Sequence, residues 1–178
     1  LTSEPGERLA AHPDGLAGVA DPAGVARYAG RLDASELSVA VVASRFNELV
    51  VERLVAGALG ELTRLGGDPS RALLAWVPGA YELPLAASVL AGEHDAVVCL
   101  GAVIRGETGH YEHVAGTCAT GLARVQLDAG RPVVFGVLTT ENLDQALDRA
   151  GGKAGNKGAE AVDTAVEMAN LLGVLRRR

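Results

Sequence analysis

The stretch VIRGETGHYEH, residues 103–113, sets Arg105, Glu107, Thr108, His110, Glu112 and His113 in one short segment directly after an apolar run. Gly106 and Gly109 open backbone conformations closed to other residues, and the main-chain N–H groups there point out of the start of the next helix. Such a loop is a natural cradle for a small anion. Its other use is ordinary helix capping by Glu107 and Thr108. The glycine spacing matches neither a P-loop nor a dinucleotide fingerprint, so a triphosphate or dinucleotide is not indicated. His110 stands at the helix start, where the positive dipole end favours the neutral ring that accepts a proton. That suits a general base, with a purely structural histidine as the alternative. His113 follows three residues on, but two histidines without a third ligand do not make a metal site.

Three further segments carry polar chemistry. PGAYELP (78–84) places Glu82 in a first helical turn beside Tyr81; the carboxylate either complements the helix dipole or accepts hydrogen bonds from ligand hydroxyls. RFN (45–47) sets Phe46 where an aromatic ring can stack on a flat heterocycle, unless it is simply core. LDRAGGKAGNKGAE (147–160) surrounds Arg149, Lys153 and Lys157 with glycines. It reads as a flexible break whose cations fold over a phosphorylated ligand, or as a solvated surface turn.

These segments are positioned by a repeating pattern. SVAVVAS (38–44), RALLAWV (71–77), AVVCLGAVI (96–104) and PVVFGVL (132–138) are near-continuous apolar runs, as expected of parallel strands covered on both faces. Between them lie stretches of helical period at 48–66, 81–93 and 113–130, then NLDQALDRA (142–150) and a last helix over 156–175. The rhythm predicts a three-layer α/β/α sandwich, flavodoxin-like and doubly wound around a four-stranded parallel sheet. Ligands of such sheets bind beyond the carboxyl ends of the strands. RFN, PGAYE, RGETGH and TTEN all follow strands directly, whereas the connections entering the strands are plain turns.

With 48% hydrophobic and 21% charged residues, the chain has apolar surface enough for one core. Residues 1–35, rich in Ala, Gly, Pro and Asp, are expected to form a mobile arm, and 36–178 a single α/β domain. The arm lacks the charged start and apolar block of a secretory signal. The net charge of −6 and 3% aromatic content give no footprint for nucleic acid. The longest apolar run, 96–104, is too short to span a membrane. Cys99 and Cys118 lack metal-ligand spacing and are expected to be free buried thiols in a cytoplasmic protein.

Taken together, ASRFNELV, VPGAYELPLAA, GAVIRGETGHYEHVA, FGVLTTENLDQALDRAG and GNKGAEAVDTAVEMANLL closely resemble the signature segments of the lumazine synthases, in order, over residues 37–175. Gly109 stands where many members have Pro or Thr, and the N-terminal arm is longer than usual. The resemblance implies condensation of 5-amino-6-(D-ribitylamino)uracil with 3,4-dihydroxy-2-butanone 4-phosphate, releasing phosphate and water, with neither metal nor organic cofactor. It implies that Phe46 stacks on the pyrimidine, while Asn47 and the backbone of Val103 and Ile104 bond its edge. Glu82 and the backbone around Ala80 and Tyr81 would hold the ribityl chain. Arg149, with the main chain at Glu107 and Thr108, would bind phosphate, and His110 would shuttle protons. Phe135 would come from a neighbouring subunit, and Lys157 would line the site. Pentamers are implied too, and the short GGKAGNKG segment permits a shell of sixty subunits. The competing expectations are a flavin- or lumazine-holding module without chemistry and a purely structural cage subunit; both predict no product from the two substrates.

Overall fold

The computed structural model describes residues 28–177. Four strands, β1 (Val39–Ser44), β2 (Ala72–Val77), β3 (Ala96–Ile104) and β4 (Val133–Thr140), form one parallel sheet in the order β2-β1-β3-β4. Strands β2 and β4 are therefore its edges. Alternation along β1 shows why every position is apolar until its last residue. Val39, Val41 and Ala43 pack on one face with Leu54 of helix α1 (Glu48–Arg64) and Val162 of helix α5 (Lys157–Arg176). Ala40 and Val42 pack on the other face with Leu83 of α2 (Leu83–Leu90) and Leu122 of α3 (His110–Ala129). This is the expected three-layer sandwich.

Several boundaries move, each for a local reason. The helix α3 begins at His110, because Tyr111, Val114, Ala115, Cys118 and Leu122 continue one buried stripe at helical spacing. The expected helix over 81–93 is shorter: a 3-10 turn at Ala80–Glu82 leads into α2, whose first turn holds Pro84. Strand β4 runs to Thr140, past the expected end at 138, because its register with β3 continues to the pair Ile104 and Thr140. After α4 (Leu143–Arg149), the glycine-rich segment read as a flexible break is a tight antiparallel hairpin of β5 (Ala150–Gly152) and β6 (Gly155–Asn156). Gly151 and Gly155 have φ of +99° and +76°, which only glycine adopts at little cost.

Helices α1 and α5 meet closely where α5 begins. A Cβ on Gly158 would lie 2.1 Å from the carbonyl oxygen of Leu54, so no larger residue fits without parting the helices. Asn156 fastens the same point. Its Oδ1 accepts from the amides of Gly158 and Ala159 at 2.8 and 3.3 Å, and its Nδ2 donates to the carbonyl of Arg53 at 2.9 Å.

Of the arm expected over 1–35, residues 1–27 lie outside the described residues. Residues 28–35 run against the body. Ala34 is buried and donates its amide to the Leu65 carbonyl at 2.8 Å, and Asn170 of α5 donates to the carbonyls of Arg31 and Asp33 at 2.9 Å each.

Candidate active site

The carboxyl ends of β1, β2 and β3 are laced together by short hydrogen bonds. Past β1, the amides of Arg45 and Phe46 donate to the carbonyls of Val77 and Pro78 at 2.9 and 3.2 Å. Asn47 adopts a left-handed conformation, φ 61° and ψ 43°, and its Nδ2 donates to the Ala102 carbonyl at 2.7 Å. That bond closes the gap between β1 and β3, and it leaves the Oδ1 of Asn47 as the free acceptor. Phe46 stays 72% exposed although it is one of only two phenylalanines, so it is no part of the core. Beside it, Ala80 is buried under α3 while Tyr81 is exposed and the Glu82 carboxylate lies over Gly79. Val103 is buried and Ile104 half-buried at the end of β3.

The loop that follows, residues 105–110, is exposed throughout. Among the described residues, the amides of Glu107 and Thr108 donate to no backbone carbonyl, so they remain available to an anion. His110 is the first residue of α3, directly after them. The loop is braced from one side by Arg105. Its guanidinium donates to Glu112 on α3, pairs with Glu141 beyond β4 at 2.8 Å, and lies 4.2 Å from the centre of the Tyr111 ring. The bonds from Glu112 and Glu141 push the Arg105 pKa further up, and the same contact with Arg105 holds the Glu112 carboxyl below its usual range. This brace between β3, α3 and β4 was not assigned from sequence. Its signal is the seven-residue spacing of Arg105 and Glu112, legible only once the helix start is known.

Phe135, Arg149 and Lys157 gather elsewhere. They share a groove of about 370 Å³ along the free edge of β4, together with Glu160, Ala161 and Thr164 of α5. Phe135 is 40% exposed there. The Arg149 guanidinium donates to the Gln145 carbonyl at 3.0 Å, and Lys157 pairs with Glu160 at 2.5 Å. Sequence reading missed Glu160, although an acid three residues after a lysine on one helix is a neighbour by geometry.

The strand register sets the separation of the two groups. Phe135 lies level with Cys99, and Cys99 level with Val42, four residues before Phe46 and two strands away. At ~3.3 Å per residue and ~4.8 Å per strand, Phe46 and Phe135 of one chain stand roughly 16 Å apart. One chain thus brings Phe46, Asn47, Ala80, Tyr81, Glu82, Val103, Ile104, Glu107, Thr108 and His110 to the strand ends, and Phe135, Arg149 and Lys157 to the edge groove. Among the described residues, no three His, Cys, Asp or Glu side chains are grouped as ligands for a metal ion.

The comparisons with known proteins agree over nearly the whole described region. The family model described as 6,7-dimethyl-8-ribityllumazine synthase matches residues 36–173. Two relatives named 6,7-dimethyl-8-ribityllumazine synthase, from two strains of Thermus thermophilus, are each 56% identical over 148 residues. That alignment covers 82% of this chain and 94% of each relative.

Proposed function

The chain belongs to the 6,7-dimethyl-8-ribityllumazine synthase family, and from that membership we propose how its two residue groups divide one active site between neighbouring copies. The activity is the condensation of 5-amino-6-(D-ribitylamino)uracil with 3,4-dihydroxy-2-butanone 4-phosphate, the penultimate step of riboflavin biosynthesis, a transferase reaction. Phe46 stacks on the pyrimidine, and Asn47 and the backbone of Val103 and Ile104 bond its edge. Glu82, with the backbone of Ala80 and Tyr81, holds the ribityl hydroxyls. The amides of Glu107 and Thr108 hold the phosphate of the ketose.

Imine formation joins the primary amine of the uracil to the ketose carbonyl with loss of water, and phosphate then leaves. His110, next to the anion cradle, moves protons in both steps. Holding two reactive partners in register supplies most of the acceleration, so no single group carries it.

The edge groove supplies the other wall. A second copy presents Phe135 to the pyrimidine, Arg149 to the phosphate, and Lys157 to the rim. The observation that carries this reading is the separation within one chain, roughly 16 Å by strand spacing, between two aromatic rings that serve one heterocycle. A closed ring of copies, each lending its β4 edge to the next, satisfies every site at once. A pentamer is such a ring, twelve pentamers make a shell of sixty subunits, and light scattering separates the two. The free buried thiols fit a reducing compartment, which supports reading the enzyme as cytoplasmic. Among the described residues, no helix is long and apolar enough to cross a membrane.

The test is complementation. Phe46→Ala and Arg149→Ala, each weakly active alone, are unfolded together, mixed in equal amounts and refolded. If neighbours share sites, about a quarter of the sites in mixed rings are intact, and lumazine fluorescence recovers to about that fraction of the native rate. Activity no higher than the average of the two separate variants would sink the shared site.

A further inference from the structure

At the amino ends of the strands, away from the candidate active site, the sheet opens into a cavity of about 430 Å³, within the usual size range of small-ligand sites. Four arginines line it. Arg31 comes from the segment before β1, Arg131 from the turn before β4, and Arg176 and Arg177 from the end of α5. The acids in its wall are Glu36 and Asp95.

Neither acid neutralises the whole set. Asp95 is committed: it accepts from the amide and hydroxyl of Ser38 at 2.9 and 3.0 Å and from Arg131 at 2.7 Å. Glu36, with a side chain 91% exposed, is 3.6 Å from Arg71, which does not line the cavity. Arg176 donates to the Gly130 carbonyl, which leaves its charge unpaired. The Arg177 guanidinium folds back over Gly173 in the cavity wall. Among the described residues, Arg31, Arg176 and Arg177 form no ion pair. Asp33 feels the field of Arg31, but its carboxylate is bonded to Ser35.

Arginines in a last helical turn ordinarily just offset the negative dipole end. That accounts for Arg176 and Arg177. It does not account for Arg31, which arrives at the same cavity from the segment before β1 without an ion pair, beside the Arg131–Asp95 pair, in a chain whose net charge is −6. Guanidinium forks pair best with planar or tetrahedral oxyanions, and several around one volume suit linked ones. We infer that this cavity is a second anion site, separate from catalysis, which takes a small molecule of the diphosphate class. A single phosphate would leave most of the volume to water.

Isothermal titration of the full-length assembled protein tests this, with inorganic diphosphate and with ADP as probes, in low salt. The expected result is saturable binding that survives Arg149→Gln, weakens at least tenfold in the Arg31→Gln/Arg177→Gln variant, and fades as salt screens the charges. The double variant should keep the native rate of lumazine formation and the native melting temperature, which shows that it folds. Tighter binding of ADP than of diphosphate assigns the site to a nucleotide, and equal or weaker binding assigns it to the free anion. The inference is overturned if neither probe binds, if the double variant binds both as the native protein does, or if Arg149→Gln alone removes all binding. The last outcome would place the anion in the catalytic groove and leave the proposed function standing.

Discussion

Gly158→Ala adds one methyl group at the crossing of α1 and α5, and the geometry fixes its cost. The new carbon would stand 2.1 Å from the Leu54 carbonyl oxygen, 2.8 Å from the carbon of that carbonyl and 3.0 Å from Asn156 Oδ1. Backbone atoms cannot swing aside, so the helices must separate by about 1 Å, and overpacking of that kind costs about 1–3 kcal/mol. Strain on the Asn156 cap adds up to about 1 kcal/mol. Against this, alanine is the better helix former by about 1 kcal/mol. The net expectation is a loss of about 1–2 kcal/mol in urea unfolding at fixed protomer concentration. Gly60→Ala is the control, on the partner helix α1 with open space where its methyl would go, and it should gain about 0.5–1 kcal/mol. Because Lys157 directly precedes Gly158, the separated helices should also raise the KM for the phosphorylated ketose in Gly158→Ala and not in Gly60→Ala. A Gly158→Ala protein as stable as the native one, or a Gly60→Ala protein that is equally destabilised, would refute the reasoning.

Further expectations follow from the site and from the buried titratable groups. His110→Ala should lower kcat about tenfold or more without abolishing turnover, and Arg149→Ala should raise the KM of the ketose phosphate far more than that of the uracil; steady-state kinetics with each substrate varied checks both. Burial first, then the neighbouring Glu61, raises the Asp163 pKa to about 6, above its unfolded value of 3.8. Its contribution to stability is therefore present below about pH 4 and is lost as pH rises through about 6, so Asp163→Asn should stabilise the protein at pH 8 and hardly at pH 4. With the Asp163 side chain 38% exposed, solvent discounts the gain to about 1 kcal/mol, measured by unfolding at the two pH values. Burial pushes the Cys118 thiol up to about 11 and Cys99 higher still, so a disulfide reagent at pH 8 should label neither until the protein unfolds.

The sheet was legible because its central strands β1 and β3 are covered on both faces and read as unbroken apolar runs, with Val97 to Leu100 all fully buried, and the edge strands β2 and β4 keep the same apolar composition although they are partly exposed. The one-sided polarity of the connections then pointed to the strand ends, and Phe46, Glu82 and His110 all lie there. What the apolar period could not give was the hairpin at 150–156, since two-residue strands have no period to detect and the glycines there look like simple flexibility. The Arg105 brace was hidden for another reason. Its partners Glu112 and Glu141 lie on different elements, and nothing in a linear string says that the turn before α4 folds against the start of α3.

Phe135 is the most instructive residue of the set. Phe135 lies inside one of the four apolar runs, but β4 is an edge, and an edge strand presents unpaired backbone groups along its free side and leaves the side chains on its two faces less covered than those of a central strand. Leaving a phenylalanine 40% exposed on such an edge, next to Arg149 and Lys157, is a liability in an isolated chain. The liability disappears if a neighbouring copy lays its strand ends against that groove, because one contact then covers the apolar ring, brings cations to an anionic substrate and completes the pocket around Phe46. The position of Phe135 and the demand for a second copy are on this view one fact. Phe135→Ser should therefore weaken assembly and the binding of the uracil substrate together, as read by light scattering and by KM; a variant that lost substrate affinity while its assembly and thermal stability stayed native would separate the two roles and count against a shared origin.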